Sequence, residues 1–177
     1  MLYVCSRLCL IIKNNSMKTI PFDTKKSIKR ATERKVADKK WTLISDGKEF
    51  AWSNQMERVA VIRKGIPYGS LEVISKRLNR PVRSILELVG LPQTTYNKKK
   101  SDHSLLDTRD SELVLLITEL VDFGLEVFNN ENEKFQRWLK KPNISLGGNA
   151  PESMLDTTSG LNEVRFCLNR LEYGNLA

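Results

Sequence analysis

Residues 138–174 read WLKKPNISLGGNAPESMLDTTSGLNEVRFCLNRLEYG, and the reading of this stretch decides the fold. Pro142-Asn143, Gly147-Gly148 and Pro151 punctuate it and separate short helical signals from one long one. No charged residue stands between Asn143 and Ala150, so the segment is a shaped connector and not a solvated linker. Pro151 opens a short helix that contains Met154 and Leu155. The long signal carries Leu161, Val164, Leu168 and Leu171 at helical spacing and runs into Gly174, a residue suited to capping a helix C-terminus. Gly147 and Gly148 are expected at positive φ, where they set the angle between helices. Trp138 is expected in the core.

Upstream of this stretch the chain also reads as helix. Asn130 and Glu133 have capping-box spacing for a helix that carries Phe135, Trp138 and Leu139, and Pro142 closes it. Ser111–Phe128 is the strongest helical segment. Leu113, Leu116, Ile117, Leu120, Val121, Gly124 and Phe128 follow the helical period, and Leu115 and Leu125 widen the stripe. A stripe that wide predicts a central position or an interface, and it argues for self-association. Earlier still, Val59 and Ile62 precede a break at Gly65-Ile66-Pro67, and Leu71, Ile74 and Leu78 follow it. Pro81–Val89 presents Ile85, Leu88 and Val89 and stops at Gly90. A polar helix then runs from Leu91-Pro92 to Lys100. Trp41–Ser45 and Lys48–Trp52 flank Asp46-Gly47, a two-residue hairpin signal that pairs Leu43 with Phe50 and Trp41 with Trp52 on one face. The expected fold class is all-α: an N-terminal helix-turn-helix bundle and a small C-terminal helical domain, with a short β-hairpin near residues 41–52. The expected divisions are a basic extension over 1–55, a helix-turn-helix domain over 56–108 and a C-terminal domain over 109–177.

The chain has 177 residues, room for one medium domain or two small ones. Its formal net charge is +8, unevenly placed. Residues 1–100 hold 22 Lys/Arg against 8 Asp/Glu, a net +14, and residues 101–177 hold 7 against 13, a net −6. A basic half beside an acidic half points to one surface for a polyanion and another for a different partner. Lys25, Lys26, Lys29, Arg30, Arg34, Lys35, Lys39 and Lys40 form either an arm that follows phosphates or a solvated terminus, and the two are compatible. Leu2–Ile12 is apolar but too short to span a bilayer, which takes roughly twenty residues, and Arg7 interrupts it. Residues 1–16 read as an extension or an early start ahead of Met17. Cys5, Cys9 and Cys167 have no metal-ligand spacing, and the chain holds a single histidine, His103. The expectation is a reduced cytoplasmic protein with no metal and no cofactor.

Ser84–Lys100 fits a helix-turn-helix, with Gly90 at the turn. The second helix offers small polar and basic side chains at its N-terminal end, where such a helix meets base edges. Gln93 suits bidentate reading of adenine, and Thr94, Thr95 and Asn97 lie within reach of bases or phosphate. Lys98, Lys99 and Lys100 suit phosphate contacts, and Tyr96 anchors the helix inward. Leu86 stands where the motif favours a small residue, and Lys99 stands where it favours an apolar one. A helical hairpin with a solvated lysine run is the competing reading. No catalytic set is visible: His103 has no nucleophile beside it, and no phosphate-cradling glycine pattern surrounds Gly147-Gly148.

Phe128, Phe135-Gln136-Arg137-Trp138-Leu139, Pro142-Asn143, Leu146-Gly147-Gly148, Ala150-Pro151, Met154-Leu155, Thr157, Gly160, Val164, Leu168, Arg170 and Tyr173-Gly174 occur in the order that resembles the toxin-binding domain of Xre/MbcA/ParS antitoxins. The likeness is strong over residues 109–177, weaker over 56–108, where an Xre-like helix-turn-helix is expected, and does not reach 1–55. The resemblance implies a non-enzymatic antitoxin that silences a cognate RES-domain toxin, an NAD-consuming protein similar to ADP-ribosyltransferases. It also implies binding of operator DNA to repress its own operon, and a homodimer within a larger toxin–antitoxin complex. Such an antitoxin ends at the toxin's active-site entrance, which nominates Arg170, Tyr173, Gly174, Asn175, Leu176 and Ala177 as inhibitory contacts. A terminal carboxylate there would meet basic groups in the toxin's nucleotide pocket. The bland reading is that Arg170 and Tyr173 only pack the domain. A different class of function, a stand-alone dimeric helix-turn-helix regulator, remains as the alternative.

Overall fold

The computed structural model describes residues 41–173; the expectations placed on residues 1–40 and on Gly174–Ala177 lie outside them. The described part opens with a hairpin, β1 (Trp41–Ser45) and β2 (Lys48–Trp52). Its register pairs Trp41 with Trp52 and Leu43 with Phe50, as the turn signal predicts. Asp46 and Gly47 lie at φ 51° and 73°, the left-handed pair that a two-residue hairpin turn of this hand demands. A lone hairpin is marginal in water. Here Leu43 and Trp52 are fully buried, because β1 and β2 pack on the helices that follow.

Those helices are α1 (Gln55–Lys64), α2 (Ser70–Arg77), α3 (Val82–Val89), α4 (Gln93–Ser101), α5 (Thr108–Val127), α6 (Asn132–Lys140) and α7 (Thr158–Glu172), with two 3₁₀ turns, Ile144–Leu146 and Pro151–Met154, between α6 and α7. α5 is the axis of the assembly. Leu113, Val114, Leu115, Ile117, Leu120 and Val121 are buried around its circumference, and α7, α1, α2, α6 and β1 all lie against it. Its wide apolar stripe is therefore satisfied within one chain, which removes the argument from that stripe to self-association.

One terminating device recurs four times. Arg80 N–H reaches Ser75 C=O (3.0 Å), Leu91 reaches Leu86 (2.8 Å), Ser104 reaches Lys99 (2.9 Å) and Asn130 reaches Leu125 (2.6 Å). In each case the residue just before the donor sits at positive φ: Asn79, Gly90, His103 and Asn129. These are Schellman closures, which take up the orphan carbonyls of α2, α3, α4 and α5. Asn130 is itself left-handed at φ 62°, so it ends α5. The capping box expected from Asn130 and Glu133 is consequently not made: Glu131 is the cap position of α6, with no side-chain bond.

The connector after α6 closes on itself. Asn143 Oδ1 accepts from Ser145 N–H (2.9 Å), and Asn143 C=O accepts from Gly148 N–H (2.9 Å). Gly147 and Gly148 lie at φ 63° and 85°; a Cβ on Gly147 would meet only Asn149 Nδ2 at 3.9 Å and one on Gly148 nothing, so backbone conformation and not crowding requires glycine there. Crowding acts elsewhere. A Cβ on Gly124 would enter the ring of Phe135, part of a cluster with Phe128 and Trp138, the latter only partly buried. A Cβ on Gly160 would run into the backbone carbonyl of Met154. Gly160→Ala must therefore push the second 3₁₀ turn off α7. We expect a loss of about 1–3 kcal/mol in urea unfolding, the usual size of an overpacking defect; unchanged stability would mean the turn and helix approach less closely.

Ion pairs and hydrogen bonds cross the expected division between residues 108 and 109. Arg77 pairs with Asp122 (2.9 Å) and donates to Thr42 C=O (2.9 Å), Arg80 approaches Glu152 (3.7 Å), and Gln136 Nε2 donates to Arg77 C=O (3.2 Å). The described residues, 41–173, all fall within one compact unit.

Candidate functional site

Two surfaces answer to the residues singled out in the sequence. The first is α4. Pro81 and Pro92 start α3 and α4, and Gly90 at φ 79° turns the chain between them, so the helix-turn-helix is formed. Tyr96 is buried as the inward anchor, near Tyr68 (ring centroids 6.4 Å apart), and its hydroxyl donates to Glu72 (3.1 Å). Leu86 is also buried, so the larger side chain is accommodated in the core.

On the outer side Gln93, Thr94, Asn97, Lys98 and Lys99 are exposed, with Thr95 and Lys100 partly covered. Gln93 Nε2 donates to Asn97 Oδ1 (3.0 Å), which holds the two amides as a pair. Lys100 departs from the row. It pairs with Glu72 and lies over the Tyr96 ring at 5.8 Å. The hydrogen bond from Lys100 holds the Glu72 carboxyl below its ordinary range and raises the lysine in return, while burial first and Glu72 second push Tyr96 up. Lys100 thus braces α4 against α2, and Lys98 and Lys99 are the exposed cations of the helix. His103 serves as the left-handed residue that ends it, a structural place on the surface.

The second surface is α7. Thr157 caps it, its hydroxyl accepting from Gly160 N–H (3.1 Å). Leu161, Val164, Cys167 and Leu168 are buried, and α7 lies along α5. Burial pushes the Cys167 thiol up, which makes it a packing residue and not a reactive one. On the opposite side Phe166 and Tyr173 are 57% and 71% exposed. Arg170 stands between them, exposed, with only a distant contact to Cys167 Sγ (4.0 Å). The ring of Tyr173 is outside the packing, against the bland reading of that residue. Gly174, Asn175, Leu176 and Ala177 lie beyond the described residues.

A third site was not foreseen. Glu119 is 3% exposed in the middle of α5. Its carboxylate accepts from Trp52 Nε1 (2.7 Å), from Arg58 through both oxygens (2.8 and 2.9 Å) and from Arg165 (3.4 Å). Such partners offset the desolvation of a carboxylate in the core. Arg165 also lies over the Phe123 ring at 5.6 Å. The node joins the hairpin, α1 and α7 to the axis beside a crevice of about 300 Å³. Among the described residues no group of His, Cys, Asp and Glu could hold a metal ion, and no helix is long and apolar enough to cross a membrane.

A small helical body ending in a capped helix with an aromatic outer stripe is the setting in which the comparisons with known proteins fall. Residues 124–174 match the model of the antitoxin Xre/MbcA/ParS C-terminal toxin-binding domain. The chain is 28% identical over 115 residues to the "Antitoxin Xre" of Photorhabdus laumondii, covering 65% of this chain and 78% of that one. It is 28% identical over 133 residues to the "Prs ADP-ribosylating antitoxin" of a Sphingobium species, covering 71% and 84%. A third relative, the "Antitoxin Xre" of Yersinia enterocolitica, is 25% identical over 113 residues, covering 64% and 76%. Over residues 124–174 the chain is thus similar to the toxin-binding domain of Xre/MbcA/ParS antitoxins, as its C-terminal motif order predicts.

Proposed function

We propose that the chain is the antitoxin of a type II toxin–antitoxin pair. It binds and neutralises a RES-domain, NAD-consuming toxin in the cytoplasm, and it represses its own operon by binding operator DNA through α4. One observation carries this reading: the segment matched to a toxin-binding domain contains α7, whose last turn leaves Arg170 and Tyr173 exposed immediately before residues 174–177. In this reading those residues enter and block the toxin's active site. The Sphingobium relative is named a Prs ADP-ribosylating antitoxin, which fits a partner of ADP-ribosyl-transfer chemistry. The chain itself does no catalysis in this scheme. Two copies, placed on the half-sites of an operator, would form the core of a larger toxin–antitoxin complex.

The test is co-expression with a RES-domain protein encoded beside this chain. Growth restored by the chain supports the reading, whereas a protein that stays toxic and does not co-purify with it overturns the reading. The DNA limb is tested separately. Gln93, Thr94 and Lys98 replaced together by alanine should lower operator affinity by about 100-fold, with a shallower salt dependence from the lost lysine, since each good base contact contributes roughly 1–3 kcal/mol. Unchanged binding in a titration across salt concentrations would move the recognition surface off α4. Operator binding that persists with no affinity for any toxin would favour the stand-alone regulator.

A further inference from the structure

We infer that Phe166 is the apolar anchor of the toxin contact, seated in an apolar pocket of the toxin beside an acidic group that takes Arg170. The inference rests on the antitoxin reading and says where on this chain the grip begins, with Arg170 shared between the grip and the inhibitory end. Within the matched residues 124–174 four large apolar side chains are conspicuously exposed: Ile144, Phe166, Leu171 and Tyr173. Three of them fall on the last eight residues of α7 and its cap. Single exposed apolar groups are ordinary on a protein surface, but a cluster is not.

Phe166, Arg170 and Tyr173 stand at i, i+4 and i+7, one above the other on a single face. That is the spacing with which a helix enters a partner's groove. The opposite face of α7 is committed to the core through Leu161, Val164, Cys167 and Leu168, so the helix is held rigidly while this face is offered. Aromatic side chains and arginine are enriched at interfaces, aromatics for the surface they bury and arginine for its charged, many-donor head. Leu171 is not on this face: it prolongs the buried stripe past Leu168 and is 45% exposed, so a partner that reaches the end of α7 covers it too.

Ile144 is the rival anchor, being 96% exposed. It stands on the first 3₁₀ turn, on a connector with no second exposed large apolar residue. We therefore expect its replacement to be silent. The experiment uses the full chain and the purified RES-domain protein encoded beside it, with affinity measured by calorimetry. Phe166→Ala should weaken binding by about 30-fold or more, the size of an interface hot spot. Phe166→Leu should stay within a few-fold of the wild type, and Ile144→Ser should bind as the wild type does. Thermal unfolding of Phe166→Ala should be unchanged, because the ring is outside the core. Wild-type affinity in Phe166→Ala, or a loss confined to Ile144→Ser, overturns the inference and leaves the antitoxin reading standing. A wild-type chain with no affinity for the RES-domain protein brings down the antitoxin reading itself.

Discussion

A chain lacking residues 171–177 should remain folded and bind its toxin, yet fail to neutralise it. The physical basis is where the core stops. Leu168 is the last fully buried residue of α7, and Leu171 and Tyr173 are 45% and 71% exposed. Removing residues as exposed as Leu171 and Tyr173 from a helix end costs little stability, because terminal turns are where helices fray. Thermal unfolding should therefore shift by no more than a few degrees. Phe166 remains in the truncated chain, so a weakened complex should still form. What is lost is the part proposed to block the active site. In cells carrying an inducible toxin, the truncated chain should leave growth arrested where the full chain restores it. Full protection by the truncated chain would place the inhibitory contact elsewhere.

The second large effect concerns Glu119. Glu119→Ala should destabilise the protein by about 3–5 kcal/mol in urea unfolding, the range for breaking a buried charged pair from one side. The cause is the state of what remains. The guanidinium of Arg58, whose side chain is 16% exposed, would lie desolvated without its carboxylate, and the indole N–H of Trp52 would lose its acceptor. Arg165 contributes less, since its side chain is 40% exposed and water screens it. A domain of this size is stable by only about 5–15 kcal/mol, so such a loss is a large share of the total. Replacing both partners, Glu119→Leu with Arg58→Met, should recover much of it, because apolar substitutes of similar volume carry no desolvation penalty. If Glu119→Ala costs less than about 1 kcal/mol, the node is not what fastens the hairpin and α1 to the axis.

The sequence disclosed local features best. The hairpin register followed from Asp46-Gly47 and the alternation of Leu43, Phe50 and the two tryptophans. The turn at Gly90 and the positive φ of Gly147 and Gly148 followed from glycine's freedom in that region. Asn130 was misread because asparagine serves equally as an N-cap and as a left-handed terminator, and only the Leu125 carbonyl beside it chooses between them. The stripe of α5 left a central position and an interface both open, because a pattern shows how much apolar surface a helix has and not who covers it; the structure takes the central one. Glu119 gave no local sign beyond being an acid within that stripe. Its partners lie 67, 61 and 46 residues away in the chain. Lys100 looked like its two neighbours until Glu72 was found across from it. Phe166 was passed over because it falls outside the buried stripe of α7, although its spacing with Arg170 and Tyr173 was visible throughout.

The most direct measurement of the central claim is NAD consumption by the purified RES-domain protein, titrated with the full chain and with the chain lacking residues 171–177. The account expects the full chain to stop turnover at stoichiometric amounts and the shortened chain to leave turnover running even when bound. Equal inhibition by both chains, or turnover untouched by the full chain, would contradict it.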